Sequence, residues 1–472
     1  MHLEPLNSYF CSSKIRINQS IGMSKDIRIK KGVSIKLTGS ADRVYANIPA
    51  SEYYLVKPSD FIGLTPKLTV IVGDKVQAGS SLFFDKENPS VIITSPVSGE
   101  IFEIRRGAKR KILAVVVKAD AEITYKEFSK AEAKEVSREQ IIEQMLAAGV
   151  WPFVRQRPFA VIANPADMPK AIFISAFDSA PLACDSDFVL HGMEIEFQAG
   201  LDIVTKLTEG TTHLNIDGNS NSSSVFTNAK GVQINNVSGP HPAGNVGVQI
   251  HHIDPINKGE VVWYMYPQDV IAIGRLFSQG KYDATRLIAL AGSQVEKPRY
   301  YRSMQGASIT SMTQGNIKEG DNRFISGNVL TGNHIYEDGN LGFYHNEISV
   351  IPEGKEQAFL GWLLPGFSKF SLSRTFFSWM NPKKEYAISA NMNGEERAYV
   401  VTGQYENVFP MDVYPQHLIK SILIGDIELM ENLGIYEVAE EDFALCEFSC
   451  TSKMPIQEIL REGLDLVKKE CS

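Results

Sequence analysis

Two glycine-cornered motifs constrain this chain more than any other feature. Gly73-Asp74-Lys75-Val76-Gln77-Ala78-Gly79-Ser80-Ser81-Leu82 is followed by Ser95-Pro96-Val97-Ser98-Gly99-Glu100-Ile101. Glycine accepts the positive φ that a tight turn needs, and the Asp74 carboxylate can bond its own backbone. Val76 and Leu82 then point inward, and Ser-Pro-x-x-Gly turns the next corner. Around these motifs, from residue 27 to about 120, lie the short β-rich runs 70–72, 81–84, 91–94 and 112–117, punctuated by Gly, Pro, Asp and Asn. Val115, Val116 and Val117 are consecutive β-branched residues that cannot all face water, so this strand is expected to be fully buried. A small barrel of two interlocked halves satisfies all of these demands.

The arrangement resembles the biotinyl/lipoyl-type barrel–sandwich hybrid. Carrier domains of that type present a lysine at a hairpin tip, flanked by methionines or acids. The corresponding hairpin here is Phe84-Asp85-Lys86-Glu87-Asn88-Pro89. Lys86 has no methionine neighbour and a proline follows three residues on, so its modification is not expected.

At 472 residues the chain exceeds one core, and the pattern changes along it. Residues 124–148 read as helical. Ser137 and Gln140 form a capping box, Ile141, Ile142, Met145 and Leu146 form the apolar stripe, and Gly149 is the stop. From 169 to about 280 strands and helices alternate, with 171–176 and 212–216 as strands and 200–207 as a helix. That alternation argues for a parallel sheet in an open α/β layer. Residues 295–301, 323–332, 341–351 and 398–402 add a strand-rich unit with glycine stops. Two helices close the chain, over 415–424 and 455–469, the second with Ile456, Ile459, Leu460, Leu464 and Leu466 on its stripe. The expected class is multidomain α+β. Its units are an extension at 1–22, a barrel–sandwich hybrid at 23–125, a Rossmann-like α/β layer at 126–288, a strand-rich unit at 289–405 and a helical C-terminal domain at 406–472. Met23 stands directly before the first strongly patterned segment and is the expected true start, with residues 1–22 a non-native or disordered extension.

Composition excludes several function classes. The net charge of -8 repels phosphate backbones, so nucleic acid is not an expected partner. The basic run from Arg105 to Lys111 reads as a strand turn with a basic rim. Five cysteines in this length form no disulfide framework. The most apolar stretch, 359–365, is too short to span a membrane and ends in proline. G-x-S-x-G, H-E-x-x-H and P-loop signatures are missing.

Chemistry centres on Ser238-Gly239-Pro240-His241-Pro242-Ala243-Gly244-Asn245-Val246-Gly247-Val248-Gln249-Ile250-His251-His252. Its glycines and prolines make a fixed loop whose backbone N–H groups can approach a ligand. Gly244-x-x-Gly247 is not the dinucleotide fingerprint. If the segment after Gly247 is a strand, His251 and His252 point to opposite faces and cannot share an ion. A neutral imidazole offers one donor and one acceptor, which suits a quinone oxygen. His241, Gly244, Gly247 and His251 are the candidate ligand-binding residues of this loop, and no catalytic or metal-ligating residue is assigned. Cys446 and Cys450 could share a helix face, but two thiolates under-ligate an iron–sulfur cluster; they read as small buried residues.

Seven segments resemble one family. They are Ile29-Lys30-Lys31-Gly32; Val72-Gly73-Asp74 through Leu82-Phe83-x-Asp85-Lys86-x-Asn88-Pro89; Ser95-Pro96-x-Ser98-Gly99; Arg105-Arg106-Gly107-x-Lys109-Arg110; Ser238-Gly239-x-His241-Pro242-Ala243-Gly244-x-x-Gly247; Gln268 to Gly274; and Gly361-Trp362-x-x-Pro365-Gly366. In this order, from Met23 onward, they resemble the A-subunit family of the Na+-translocating NADH:quinone oxidoreductase (Na+-NQR). The resemblance implies a peripheral subunit on the cytoplasmic face of a bacterial inner membrane. It implies integral membrane subunits as partners, quinone as a ligand and no tightly bound cofactor, with NADH, flavins and iron–sulfur centres handled by partner subunits. It also implies an architecture akin to the NADH-binding subunit of respiratory complex I and the C subunit of Rnf complexes, with a β-grasp (soluble-ligand-binding) unit third. Those relatives carry a glycine-rich flavin loop or cysteine clusters, and this chain departs from them in having neither. Two readings stand, a docking scaffold without a quinone site and a subunit that binds quinone directly. A stand-alone flavin oxidoreductase is a third, opposed by the missing glycine fingerprint.

Overall fold

The computed structural model describes residues 24–220, 222–355, 360–361 and 363–471. The expectations for 1–22 and Met23, and part of that for 359–365, lie outside the described residues. The barrel folds as expected. A four-stranded sheet runs Tyr53–Val56, Ile112–Ala119, Gly99–Arg106 and Lys75–Val76, facing a three-stranded sheet of Pro66–Leu68, Ser81–Asp85 and Ile92–Thr94. Val115, Val116 and Val117 are at most 1 % exposed, and Val76 and Leu82 point inward. Gly73 turns with φ of 93°, and the Asp74 carboxylate accepts the Ile71 N–H at 2.9 Å. That turn corrects one expectation. Val70-Ile71-Val72 is not a strand, because the turn bond takes its backbone and leaves Ile71 and Val72 exposed. Lys86 sits exposed on the expected hairpin.

The second unit is a seven-stranded sheet in the order Asp26–Arg28, Gln233–Ser238, Thr211–Asp217, Ala171–Ser175, Val262–Met265, Arg155–Arg157 and Val161–Ile162. The first five strands are parallel and the last two antiparallel. Ala171–Ser175 is buried along its whole length, as a strand covered on both faces must be. From it the chain steps one way to Thr211–Asp217 and Gln233–Ser238, then crosses back to place Val262–Met265 on its other side. Helix Glu194–Val204, which follows Ala171–Ser175, and helix Pro267–Gln279, which follows Val262–Met265, pack closely against each other, with Gly200 and Gly274 at their contact. The carboxyl ends of these two adjacent parallel strands open onto one crevice.

The capping box closes as read: the Gln140 N–H reaches Ser137 Oγ at 3.3 Å, and the Ser137 N–H reaches Gln140 Oε1 at 2.9 Å. Gly149 ends that helix in the left-handed region. The helix covers only Arg138–Ala148, however. Residues 124–131 are extended, because backbone bonds pin Thr124 and Lys126 to Ala78, Phe128 to Gly280 and Ala131 to Phe277.

The third unit is a six-stranded sheet of Asn333–Ile335, Asn322–Ser326, Glu347–Pro352, Thr285–Ala291, Arg299–Met304 and Asp42–Ala46. Asp26–Arg28 and Asp42–Ala46, which precede the barrel strands, therefore pair with the second and third sheets. Residues 398–402 are not a strand: the Gln416 side chain takes the Thr402 N–H and bonds the Val400 carbonyl where a partner strand would sit. The C-terminal helices Pro415–Leu423 and Ile456–Cys471 form as read. Ile456, Ile459, Leu460 and Leu464 are buried, and Val467 rather than Leu466 completes the stripe. Each such side chain contributes roughly 1.5–3 kcal/mol on burial. Cys446 and Cys450 pack into this helical core as small apolar residues.

Candidate functional site

The carboxyl ends of Ala171–Ser175 and Val262–Met265 open into a cleft of about 530 Å³ where all four units meet. Ser175, Phe177 and Asp178 line it from one strand end, and Tyr264, Tyr266 and Pro267 from the other. The barrel supplies Asp60, the strand-rich unit Tyr344, His345 and Glu347, and the helical domain Glu441 and Arg461. Arg155, on the antiparallel strand beside Val262–Met265, stands at the centre of an aromatic cage. Its guanidinium lies 4.7 Å from the ring of Tyr264, 5.2 Å from that of Tyr266 and 4.5 Å from that of Tyr344. The Tyr344 hydroxyl is fixed by donating to the Pro152 carbonyl at 2.8 Å.

His345 is set by its neighbours. The Gly342 N–H donates to Ser326 Oγ at 2.9 Å, so the Ser326 hydroxyl is free to donate to His345 Nδ1, 2.9 Å away. In the tautomer in which that hydroxyl donates to Nδ1, Nε2 carries the proton. Burial lowers the imidazole to about 4, so the ring is neutral at physiological pH. Glu347 accepts the Cys184 N–H at 2.6 Å, and burial raises its carboxyl well above the usual range. Asp178 opens onto the cleft but is walled by protein, a setting that raises it to about 6. The cleft therefore combines a fixed cation, a neutral imidazole and carboxyls raised above their usual range. Several carboxyl groups around a single caged guanidinium disfavour a phosphate-bearing ligand and suit a neutral planar one.

The sequence-selected residues stand beside this cleft and do not line it. The 239–245 loop follows strand Gln233–Ser238, and the segment after it is the helix Val246–Ile253 rather than a strand. His251 and His252 thus neighbour each other, with ring centroids 5.1 Å apart. Each is committed locally. Asp412 N–H donates to His251 Nε2 at 3.1 Å, so Nδ1–H donates to Glu437 at 2.8 Å. His252 Nδ1–H donates to the Val248 carbonyl. Among the described residues no group of three or more His, Cys, Asp or Glu could hold a metal ion.

His241 is 3 % exposed, its Nδ1 3.0 Å from Ser179 Oγ and its Nε2 without a partner. Desolvation lowers it to about 4. Gly244 donates its N–H to the same Ser179 Oγ at 2.8 Å, and a Cβ there would stand 2.4 Å from the Ser179 nitrogen. Gly247 leaves room for Asp442, whose Oδ2 would lie 2.4 Å from a Cβ at that position. His241 and Gly244 brace the 177–180 loop that forms one wall of the cleft, while Gly247 and His251 hold the C-terminal helices. Sequence reading missed the lining residues. The available signal was Arg155-x-Arg157 and Tyr264-x-Tyr266, two i, i+2 pairs that place like side chains on one face of a strand.

Comparison with known proteins fits this frame. Family profiles match along the chain: the NqrA N-terminal barrel-sandwich hybrid domain over residues 27–120, the NqrA second alpha/beta domain over 136–282 and the NQRA C-terminal domain over 287–336. The A subunit of the Na(+)-translocating NADH-quinone reductase of Yersinia pestis bv. Antiqua (strain Angola) is 39% identical over 447 residues, covering 94% of this chain and 100% of that protein. The chain belongs to this family. The corresponding protein of Photorhabdus laumondii is 39% identical and that of Pasteurella multocida 38%, with the same coverage. Among solved structures an NAD+-reducing [NiFe]-hydrogenase in the air-oxidized state aligns over 89% of this chain and 84% of that one, at 10% identity and a TM-score of 0.39, too distant to carry an argument. As a family member the chain is part of a translocase complex, and among its described residues no helix is long and apolar enough to cross a membrane.

Proposed function

We propose that this chain is the peripheral cytoplasmic subunit of a Na+-pumping NADH:quinone oxidoreductase, without a redox cofactor of its own, and that its interdomain cleft receives the quinone headgroup. Full-length similarity to the NqrA relatives carries the first part. The cleft's chemistry supports the second. A quinone is neutral and planar, so the half-buried rings of Tyr266 and Tyr344 at the cleft offer it stacking surface without a charge to neutralise. Its carbonyl oxygens are acceptors, matched by His345 Nε2–H and the Arg155 guanidinium. Burial raises the carboxyls of Asp178 and Glu347 above the usual range, toward the pH at which a reduced quinone oxygen takes up protons. The loop residues His241, Gly244, Gly247 and His251 act in this reading as supports of the wall and of the helices behind it. NADH, flavins and iron–sulfur centres fall to partner subunits, among them integral membrane subunits.

The test is titration of a short-chain ubiquinone into the purified chain, followed by saturation-transfer NMR. His345→Ala and Asp178→Asn probe the cleft, and His252→Ala serves as a remote control. Saturable binding that weakens in both cleft variants alone supports the site. Absence of saturable binding leaves the protein as a docking scaffold, with quinone chemistry on its membrane partners.

A further inference from the structure

Residues 363–384 are the least explained part of the molecule. They read Leu363-Leu364-Pro365-Gly366-Phe367-Ser368-Lys369-Phe370-Ser371-Leu372-Ser373-Arg374-Thr375-Phe376-Phe377-Ser378-Trp379-Met380-Asn381-Pro382-Lys383-Lys384. The stretch carries Phe367, Phe370, Phe376, Phe377 and Trp379, together with Lys369, Arg374, Lys383 and Lys384, and no acid at all. In a chain whose net charge is -8 this is a reversal of sign.

The segment is an ordered pad. Phe370 turns inward onto Tyr386 and Phe448, with ring centroids 5.4 and 5.9 Å away. Ser378 Oγ donates to the Lys369 carbonyl, Lys384 Nζ to the Phe367 carbonyl and Lys36 Nζ to the Pro382 carbonyl. With its inner side anchored, the pad turns its apolar groups outward. Leu363 is 61% exposed, Phe367 61%, Trp379 52% and Met380 66%, whereas Trp151 and Trp263 are fully buried. An exposed cluster of this kind marks an interaction surface. Outward aromatic and aliphatic groups accompanied by the exposed Arg374 and Lys383 match the interface of a bilayer, where Trp and Phe rings enter the headgroup layer and Lys or Arg meet anionic phosphates.

We propose that residues 363–384 seat this protein directly on an anionic lipid surface. The charge decides for lipid over an apolar protein groove, since an acid-free cationic segment is complementary to anionic headgroups. The pad is independent of the quinone cleft.

The experiment is cosedimentation of the full chain with protein-free vesicles of mixed phosphatidylcholine and phosphatidylglycerol, compared with phosphatidylcholine alone. The wild type is expected to bind the anionic vesicles and to leave the neutral ones. Arg374→Gln and Lys383→Gln should each weaken binding by about fivefold, the increment of one juxtamembrane charge. Phe367→Ser with Trp379→Ser should weaken it by more than about tenfold. The charge variants leave the inward packing of Phe370 untouched, and near-UV circular dichroism checks the fold of both sets. Failure of the wild type to bind protein-free anionic vesicles overturns the proposal, and binding only to membranes that contain the integral subunits would assign the pad to a protein partner instead. Wild-type binding by both charge variants also overturns it.

Discussion

Arg157→Met removes the strut that holds the helical domain against the cleft wall. Arg157 is fully buried, with NH1 3.2 Å from Asp442 Oδ2 and NH2 2.7 Å from Glu441 Oε1. The Asp442 side chain is fully buried and that of Glu441 28 % exposed. Methionine fills much of the volume but leaves the Asp442 carboxylate without a counter-charge, a loss of about 3–5 kcal/mol for a buried pair broken on one side. The sign of the pH dependence follows from Asp442. Burial already pushes its carboxyl up, and Arg157 is the strongest influence pulling it down. Without Arg157 it rises further, so the folded state carries a penalty that grows as pH rises above the carboxyl's unfolded value and shrinks in acid. Hydrogen exchange of the Ala444–Ser449 and Ile456–Cys471 amides, corrected for intrinsic rates, reads the local opening free energy. At about pH 8 exchange there should speed up by roughly 10²- to 10³-fold, and by clearly less at about pH 5. Arg157→Met with Asp442→Leu should recover much of the loss, because no unpaired buried charge is left at that position. Exchange within about threefold of wild type at the higher pH, or a defect equal at both, would refute the reasoning.

Three desolvated histidines, the buried His213 and His241 and the half-buried His345, are each lowered to about 4. Their unfolded forms take up protons below about 6.5 while the folded ones do not, so stability is complete above that pH and is lost as pH falls toward 4. Urea midpoints that stay level across this window would contradict the burial. Gly244→Val places a side chain against the Ser179 backbone nitrogen and should cost about 1–3 kcal/mol or more, seen as a lowered thermal midpoint; an unchanged midpoint would mean that the loop yields freely. His345→Ala should weaken short-chain ubiquinone binding by about tenfold, one neutral hydrogen bond, equally at pH 6.5 and 8 because the ring is neutral at both. Cys446→Ala with Cys450→Ala should cost on the order of 1 kcal/mol and leave the visible absorbance of the purified chain unaltered; loss of a visible band would reinstate a metal reading.

Legibility followed the range of the interactions involved. The capping box at Ser137 and Gln140, the Gly149 stop and the Asp74 turn are local events, closed within three or four residues, and all were readable. The buried strands 115–117 and 171–175 were readable because water excludes consecutive β-branched or apolar residues whatever the partner. Local pattern misled where a distant group took over the backbone. Ala78, Phe277 and Gly280 hold residues 124–131 extended, and Gln416 stands in for a strand beside 398–402. The helix at Val246–Ile253 was left open because a short apolar run has no decisive period.

The glycine and histidine loop was conspicuous because its residue types are unusual, and tertiary structure turned it into a brace for Ser179 and for the C-terminal helices. The cleft itself draws on residues 60, 155, 178, 264, 345 and 441, which no window of sequence brings together. Sequence by itself determined the order of the units, their turns and caps, and the family, since these rest on neighbours along the chain. Only the tertiary structure decided which strand ends line the cleft, which acids lose their water, and which cation the tyrosines enclose. Desolvation and ring packing are properties of the space between elements rather than of any one of them.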